Sequence, residues 1–206
     1  MKKLRAGIAA LTFVLSSQIA YANSWWNDVK NDRVNSITAA IEQGQDPNIL
    51  NEDGHPAIIY AVREDSKRAY MALAKNPKTD VNLANRFDET PLMYAAIIGD
   101  VDFAKALIQR GAQVNRLGWA PLHYAASRGQ TKMVQFLLDH GAFPNAPAAD
   151  GSSPLLLAVT SRKADVVKLL LAAGADPKAI NQQRKSALDM AREMKLSSIV
   201  SLLEGK

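Results

Sequence analysis

Histidine titrates closest to neutral pH of all side chains, and this 206-residue chain carries three, His55, His123 and His140. None stands at an i, i+3 or i, i+4 distance from a ligand-type pair that would complete a metal site. A histidine with no charged partner at a defined spacing is also weak support for acid–base catalysis. His140 precedes a glycine, a position from which it can bond the last carbonyls of a helix. Asp150-Gly151-Ser152-Ser153 contains serines that could act as nucleophiles, yet the run reads as a turn leading into a helix cap, with no oriented base. The expectation is no catalytic residue, no metal ligand and no cofactor site, and hence no enzyme. Activity screening against esters, peptides and glycans would expose a hydrolase that this reading overlooks.

These residues sit on a repeat. Thr90-Pro91-Leu92-Met93-Tyr94-Ala95-Ala96 returns as Ala120-Pro121-Leu122-His123-Tyr124-Ala125-Ala126 and as Ser153-Pro154-Leu155-Leu156-Leu157-Ala158-Val159. With Ala57 and Ala187 in place of the prolines, register positions 57, 91, 121, 154 and 187 lie 34, 30, 33 and 33 residues apart. A period near 33 predicts a solenoid, whose units bury their apolar faces only against their neighbours. Thr90 or Ser153 caps the first helix of a unit, and Pro91 or Pro154 takes the first helical position, where a missing N–H costs nothing. Gly111, Gly141 and Gly174 end the second helix, since glycine enters the left-handed region without a Cβ penalty. Val101, Ala104, Leu107 and Ile108 recur at helical spacing, as do Met133, Phe136 and Leu137, and Val166, Val167, Leu170 and Leu171. One side of each second helix is therefore apolar.

The second halves of the units read Leu107-Ile108-Gln109-Arg110-Gly111-Ala112, Leu137-Leu138-Asp139-His140-Gly141-Ala142 and Leu170-Leu171-Ala172-Ala173-Gly174-Ala175-Asp176, with Asn115 and Asn145 following the first two. On both halves the chain resembles the ankyrin-repeat family, over about residues 33–203. The resemblance implies an all-α solenoid of helix-turn-helix units joined by hairpin loops, or fingers, that binds other proteins. It also implies that His123, the motif histidine, ties adjacent repeats by hydrogen bonds. The expected layout is a signal peptide at 1–22 and a repeat domain at 23–206. That domain divides into a half-repeat at 24–51 and repeats at about 52–85, 86–115, 116–146, 147–179 and 180–206. Degenerate ends are expected as caps: Val34, Ile37 and Ile41 among Arg33, Asn35, Glu42 and Gln43 at one end, and Arg184, Lys185, Arg192, Glu193 and Lys195 at the other. Trp25 or Trp26, with Val29, either covers the open N-terminal end of the stack or offers an aromatic handle to a partner or membrane surface.

Three departures from the pattern stand out. Asn115 to Pro121 spans six residues, where Asn82 to Pro91 and Asn145 to Pro154 span nine, so the third finger is truncated. Asn76-Pro77-Lys78-Thr79 replaces the glycine stop, and Lys178 replaces the loop asparagine; looser junctions are expected at both places.

Lys2, Lys3 and Arg5, an apolar stretch from Ala6 to Leu15, and Ala20-Tyr21-Ala22 read as a signal peptide cleaved after Ala22. The competing reading is an uncleaved anchor, since no charge follows until Asp28, but Ser16, Ser17 and Gln18 interrupt the span before it reaches the ~20 apolar residues that a bilayer needs. The formal net charge is +5, from 25 Lys and Arg against 20 Asp and Glu. Without Lys2, Lys3 and Arg5 it falls to +2, and no basic run interleaved with aromatics follows, so nucleic acid is not an expected partner. The absence of cysteine removes disulfides and lipid attachment at a cysteine, and suits a periplasmic location.

Ile97 and Ile98 follow the Ala-Ala pair, where other copies carry Arg63-Glu64, Ser127-Arg128 and Thr160-Ser161. In the family that it resembles, these positions and the residues flanking the finger glycine line a concave binding face. This implies a partner-binding set of Phe87, Glu89, Ile97, Ile98, Leu117, Trp119 and Arg128 for another protein of unknown identity. Alternatively the short finger folds down, so that Trp119 and the isoleucines bury one another. Two roles are open: an accessory to a periplasmic enzyme, since exported bacterial ankyrin proteins that it resembles are linked to hydrogen-peroxide defence, or an inhibitor or immunity protein that blocks a periplasm-acting toxin.

Overall fold

The computed structural model describes residues 24–205. The expected signal peptide and its cleavage site lie outside the described residues. The regular structure within them is helical apart from two isolated bridges, Leu50 with Pro56 and Ile180 with Ser186. The chain is all-α, as the repeat predicts, and falls into two compact units that part between Asp88 and Glu89.

The first unit contains α1 (residues 24–30), α2 (Val34–Glu42), α3 (Ala57–Arg63) and α4 (Lys67–Lys75). Trp25 and Val29 are buried there, and the Trp26 ring meets Tyr60 edge-on at 5.6 Å, so the paired tryptophans serve the fold at this end. The half-repeat thus contains two helices. The α1–α2 turn is pinned to the start of α4: Ser66 Oγ donates to the Lys30 carbonyl at 2.7 Å, and the Asp32 carboxylate accepts from Ala69 N–H. Asn48 joins loop to loop, donating from Nδ2 to the Lys78 carbonyl at 2.9 Å and accepting from Asp80 N–H at 2.7 Å.

The second unit runs α5 (Pro91–Ile98), α6 (Val101–Gln109), α7 (Pro121–Ser127), α8 (Thr131–Asp139), α9 (Pro154–Thr160), α10 (Ala164–Ala172), α11 (Ala187–Glu193) and α12 (Ser197–Leu203). The first helices α5, α7, α9 and α11 stack in series, and α6, α8, α10 and α12 form a second layer. Buried alanines at 95, 96, 125, 126, 158 and 191 face this stack and let the inner helices approach closely. In the outer layer Phe103, Ala104 and Leu107 are buried on α6, Met133, Val134 and Leu137 on α8, and Val166, Val167 and Leu170 on α10. This stripe corrects the sequence-derived set at its edges. Val101, Ile108, Phe136 and Leu171 are only half-buried, because the contact row is i, i+1, i+4; Ile108, Phe136 and Leu171 lie one position off it and Val101 two.

Of the two expected caps one forms. Ser153 Oγ accepts from Leu156 N–H at 3.2 Å, whereas the buried Thr90 hydroxyl has no partner. Thr90 N–H donates instead to Met93 Sδ at 3.3 Å, a weak acceptor in the register position of His123. Asn115 Nδ2 donates to the Gly141 carbonyl and Asn145 Nδ2 to the Gly174 carbonyl, both at 2.8 Å. The wet C-terminal cap closes with Lys185 on Glu193 and Arg192 on Glu204, each at 2.7 Å.

The turn between the two helices of each unit needs a left-handed residue, and the second unit fills it with Gly99, Gly129, Arg162 and Lys195, at φ of 74°, 67°, 56° and 57°. Arginine carries a Cβ penalty that glycine does not. Arg162→Gly is therefore expected to stabilise the protein by about 1 kcal/mol. An unchanged or lower midpoint in urea unfolding would contradict this.

Candidate functional site

The inner helices carry their tyrosines at one register position, Tyr94 on α5 and Tyr124 on α7, and Glu89 stands just ahead of α5. The Glu89 carboxylate accepts from Tyr94 Oη at 2.9 Å through one oxygen and from Tyr124 Oη at 3.3 Å through the other. Trp119, from the truncated finger, lies against Tyr124 and His123, its ring 5.2 Å from the first and 5.8 Å from the second. Burial, followed by the charge of Glu89 and its hydrogen bond, pushes the Tyr124 hydroxyl up to about 12. A tyrosine so held keeps its proton at neutral pH; it is a donor that fixes a carboxylate, not a base.

His123 is fully engaged beneath. Its Nδ1 accepts from Ala120 N–H at 3.1 Å, which places the ring proton on Nε2, and Nε2 donates to the Ala146 carbonyl of the next loop at 2.8 Å. Burial holds its pKa below the ordinary 6.5, against both backbone bonds and the charge of Asp150. His140 Nδ1 donates to the Phe136 carbonyl at 2.7 Å, at the end of α8. Ser152 Oγ donates to Asp150 in the finger turn at 2.9 Å, and Ser153 is the cap of α9. Among the described residues no cluster of three His, Asp or Glu side chains could hold a metal ion, and no helix is long and apolar enough to cross a membrane.

The structure links Glu89 to Trp119 through Tyr124. Ile98 is 43% exposed and Leu117 98% exposed, while Ile97 is half-buried with its carbonyl accepting from Gln130 Nε2 at 3.2 Å. Trp119 does fold down, onto Tyr124 and His123. Arg128 lies at the C-terminal end of α7, outside the hydrogen bonds that join this cluster. Phe87 belongs to the first unit, exposed, with the Arg86 guanidinium 4.8 Å above its ring. Sequence reasoning passed over Tyr94 and Tyr124 as motif positions. Their shared register was the available signal, since equivalent residues on successive stacked helices must share a face.

These observations define an α-helical repeat scaffold that presents side chains from helix ends and loops. Models of the family described as ankyrin repeats match residues 27–117, 71–148 and 115–181. The chain belongs to the ankyrin-repeat family. It is similar to the crystal structure of an ankyrin repeat domain from Acinetobacter baumannii AYE, with a TM-score of 0.77 and 27% identity over 88% of this chain and 96% of that one. Among curated proteins it is 36% identical over 90 residues to alpha-latrocrustotoxin-Lt1a and 36% identical over 83 residues to delta-latroinsectotoxin-Lt1a, both from Latrodectus tredecimguttatus. These matches take in 44% and 40% of this chain but only 6% and 7% of the toxins. Ankyrin repeats are protein–protein interaction modules, and the fold is typically non-catalytic.

Proposed function

We propose that the chain is exported to the periplasm and binds a partner protein there, without catalysis, through the surface carrying Glu89, Ile98, Leu117, Trp119 and Arg128. The observation that carries this reading is Ile98, 43% exposed at the end of α5 where the equivalent residues of α7 and α9 are Arg128 and Ser161. Exposed apolar groups beside a rigid aromatic cluster are the composition of protein interfaces. The partner we favour is a periplasmic enzyme of antioxidant defence, on the resemblance to exported bacterial ankyrin proteins.

Ile98→Ser is expected to weaken capture of the partner from periplasmic extract while leaving the melting temperature nearly unchanged, because a half-exposed side chain at a helix end contributes little to the core. Full capture by the folded variant would remove Ile98 from the surface. Export rests on the basic start, the apolar stretch and Ala20-Tyr21-Ala22. Intact-mass measurement on the envelope fraction should find a chain starting at Asn23, and a full-length species held in the inner membrane would refute it.

A further inference from the structure

Outside glycine, the positive-φ residues of the first unit are Asp32, Asp65 and Asp88, a residue type that tolerates the left-handed region. In the second unit they are Arg162, Arg184 and Lys195, which are not of that type. Two of these, Arg162 and Lys195, hold the turns before α10 and α12, where Gly99 and Gly129 serve the earlier repeats without strain. Backbone strain that persists points to work done by the side chain. Neighbouring positions add two more cations: Lys163 follows Arg162, and Arg128 stands at the end of α7 where α5 carries Ile98. All four are exposed. Packing brings them into one row. A Cβ built on Gly129 would meet Lys163 Cγ at 2.6 Å, so the Lys163 side chain lies over the turn that begins at Arg128. Since α9 packs on α7 and α11 on α9, the Lys195 turn comes next in line. Among the described residues none of the four has an ion-pair partner, whereas Asp165, Glu193 and Glu204 are held by Lys168, Lys185 and Arg192, at 3.9, 2.7 and 2.7 Å.

We infer that this row receives an acidic segment of the partner protein, whose carboxylates sit on Arg128, Arg162, Lys163 and Lys195 along successive turns. The inference deepens the protein-binding reading above and rests on it: Arg128 already belongs to the surface proposed there, and the row continues it towards the C-terminal repeats. Stacked helices lie about 10 Å apart, so three turns span about 20 Å, the length of about six extended residues. Fixed positive charge at that spacing attracts carboxylates and repels basic segments. The turn residues 128–130, 161–163 and 194–196 include no aromatic side chain on which a base could stack, which sets the row apart from a single-stranded nucleic-acid track.

The test is fluorescence anisotropy of the mature chain, at low ionic strength, with a labelled peptide carrying Glu at every third position and its counterpart with Gln at the same places. The Glu peptide should bind at least about tenfold more tightly than the Gln peptide, since several contacts, each worth a factor of about two to five, add along the row. Arg162→Gly should weaken the Glu peptide about two- to fivefold while raising the urea midpoint, a pairing that a merely structural role would not produce. Arg128→Gln, Arg162→Gly and Lys195→Gly combined should abolish the preference. Lys105→Gln, exposed on α6, removes the same charge as Arg162→Gly and should leave binding unchanged. Equal binding of the two peptides, or an equal loss in Lys105→Gln and Arg162→Gly, overturns the inference. So does tighter binding of phosphatidylglycerol vesicles or of a single-stranded oligonucleotide than of the Glu peptide, lost in the triple variant, which would assign the row to lipid or nucleic acid. Ile98→Ser should leave peptide binding intact. If the row fails while Ile98→Ser still impairs partner capture, the protein-binding reading stands alone.

Discussion

Leu137→Ala is expected to lower the unfolding free energy by about 2–5 kcal/mol, the range for truncating a fully buried leucine. Leu137 is 0% exposed on α8, which packs against α6 on one side and α10 on the other, so the cavity left by its lost carbons is enclosed by neighbours that cannot collapse independently. Leu203 occupies the corresponding layer at the C-terminal end. It is 9% exposed on α12, whose outer-layer neighbour is α10 alone. Leu203→Ala should therefore cost less, because in a repeat stack stability is a sum of nearest-neighbour interfaces and an end repeat has one. Urea unfolding of the two variants measures the ranking; equal losses would show that the end repeat is as tightly enclosed as the centre.

The second large effect is expected at His123. His123→Ala removes an acceptor from Ala120 N–H and a donor to the Ala146 carbonyl, and leaving buried polar groups unpaired costs about 1–3 kcal/mol each. A total loss of about 2–4 kcal/mol follows on that basis. The same geometry imposes a pH dependence. Burial lowers the folded pKa of His123 below 6.5, so folding favours the neutral ring. Its contribution is fully present above about pH 6.5 and is lost as pH falls through the depressed folded value, where protonation of Nδ1 breaks the bond from Ala120 N–H. Thermal melts across about pH 7.5 to 4.5, a window that brackets this loss, should show a fall in midpoint that is smaller in His123→Ala. Parallel curves for the two proteins would contradict the assignment.

Much of the local architecture was legible because its causes are local. Pro91, Pro121 and Pro154 start helices through fixed φ and a missing donor, and Gly111, Gly141 and Gly174 end them at φ of 85°, 82° and 84°. Thr90 was the exception. It has the residue type of a cap, but its hydroxyl is buried without a partner while its amide goes to Met93. The left-handed turns at Arg162 and Lys195 were also hidden, since those residue types do not announce positive φ and only alignment with Gly99 and Gly129 reveals it.

The candidate site was legible in part. Glu89, Trp119 and Ile98 could be selected from their places in the register, but the junction through Tyr94 and Tyr124 could not, since it joins residues five and thirty-five positions from Glu89. Nor could exposure be read for Ile97 and Ile98, which are adjacent in sequence yet differ, one half-buried and one exposed.

The period, the starts of the first helices, the glycine stops of the second helices and the general apolar side of each second helix were legible in the sequence, because these follow from backbone sterics and a 3.6-residue spacing acting within one unit. The stacked repeats alone place Trp119 on Tyr124 and His123, join one carboxylate to tyrosines of two helices, and set Leu117 and Phe143 on an open groove. Each of these depends on how far a loop of one repeat reaches over the next. That distance is set by the stacking of whole units and is carried by no single unit's pattern.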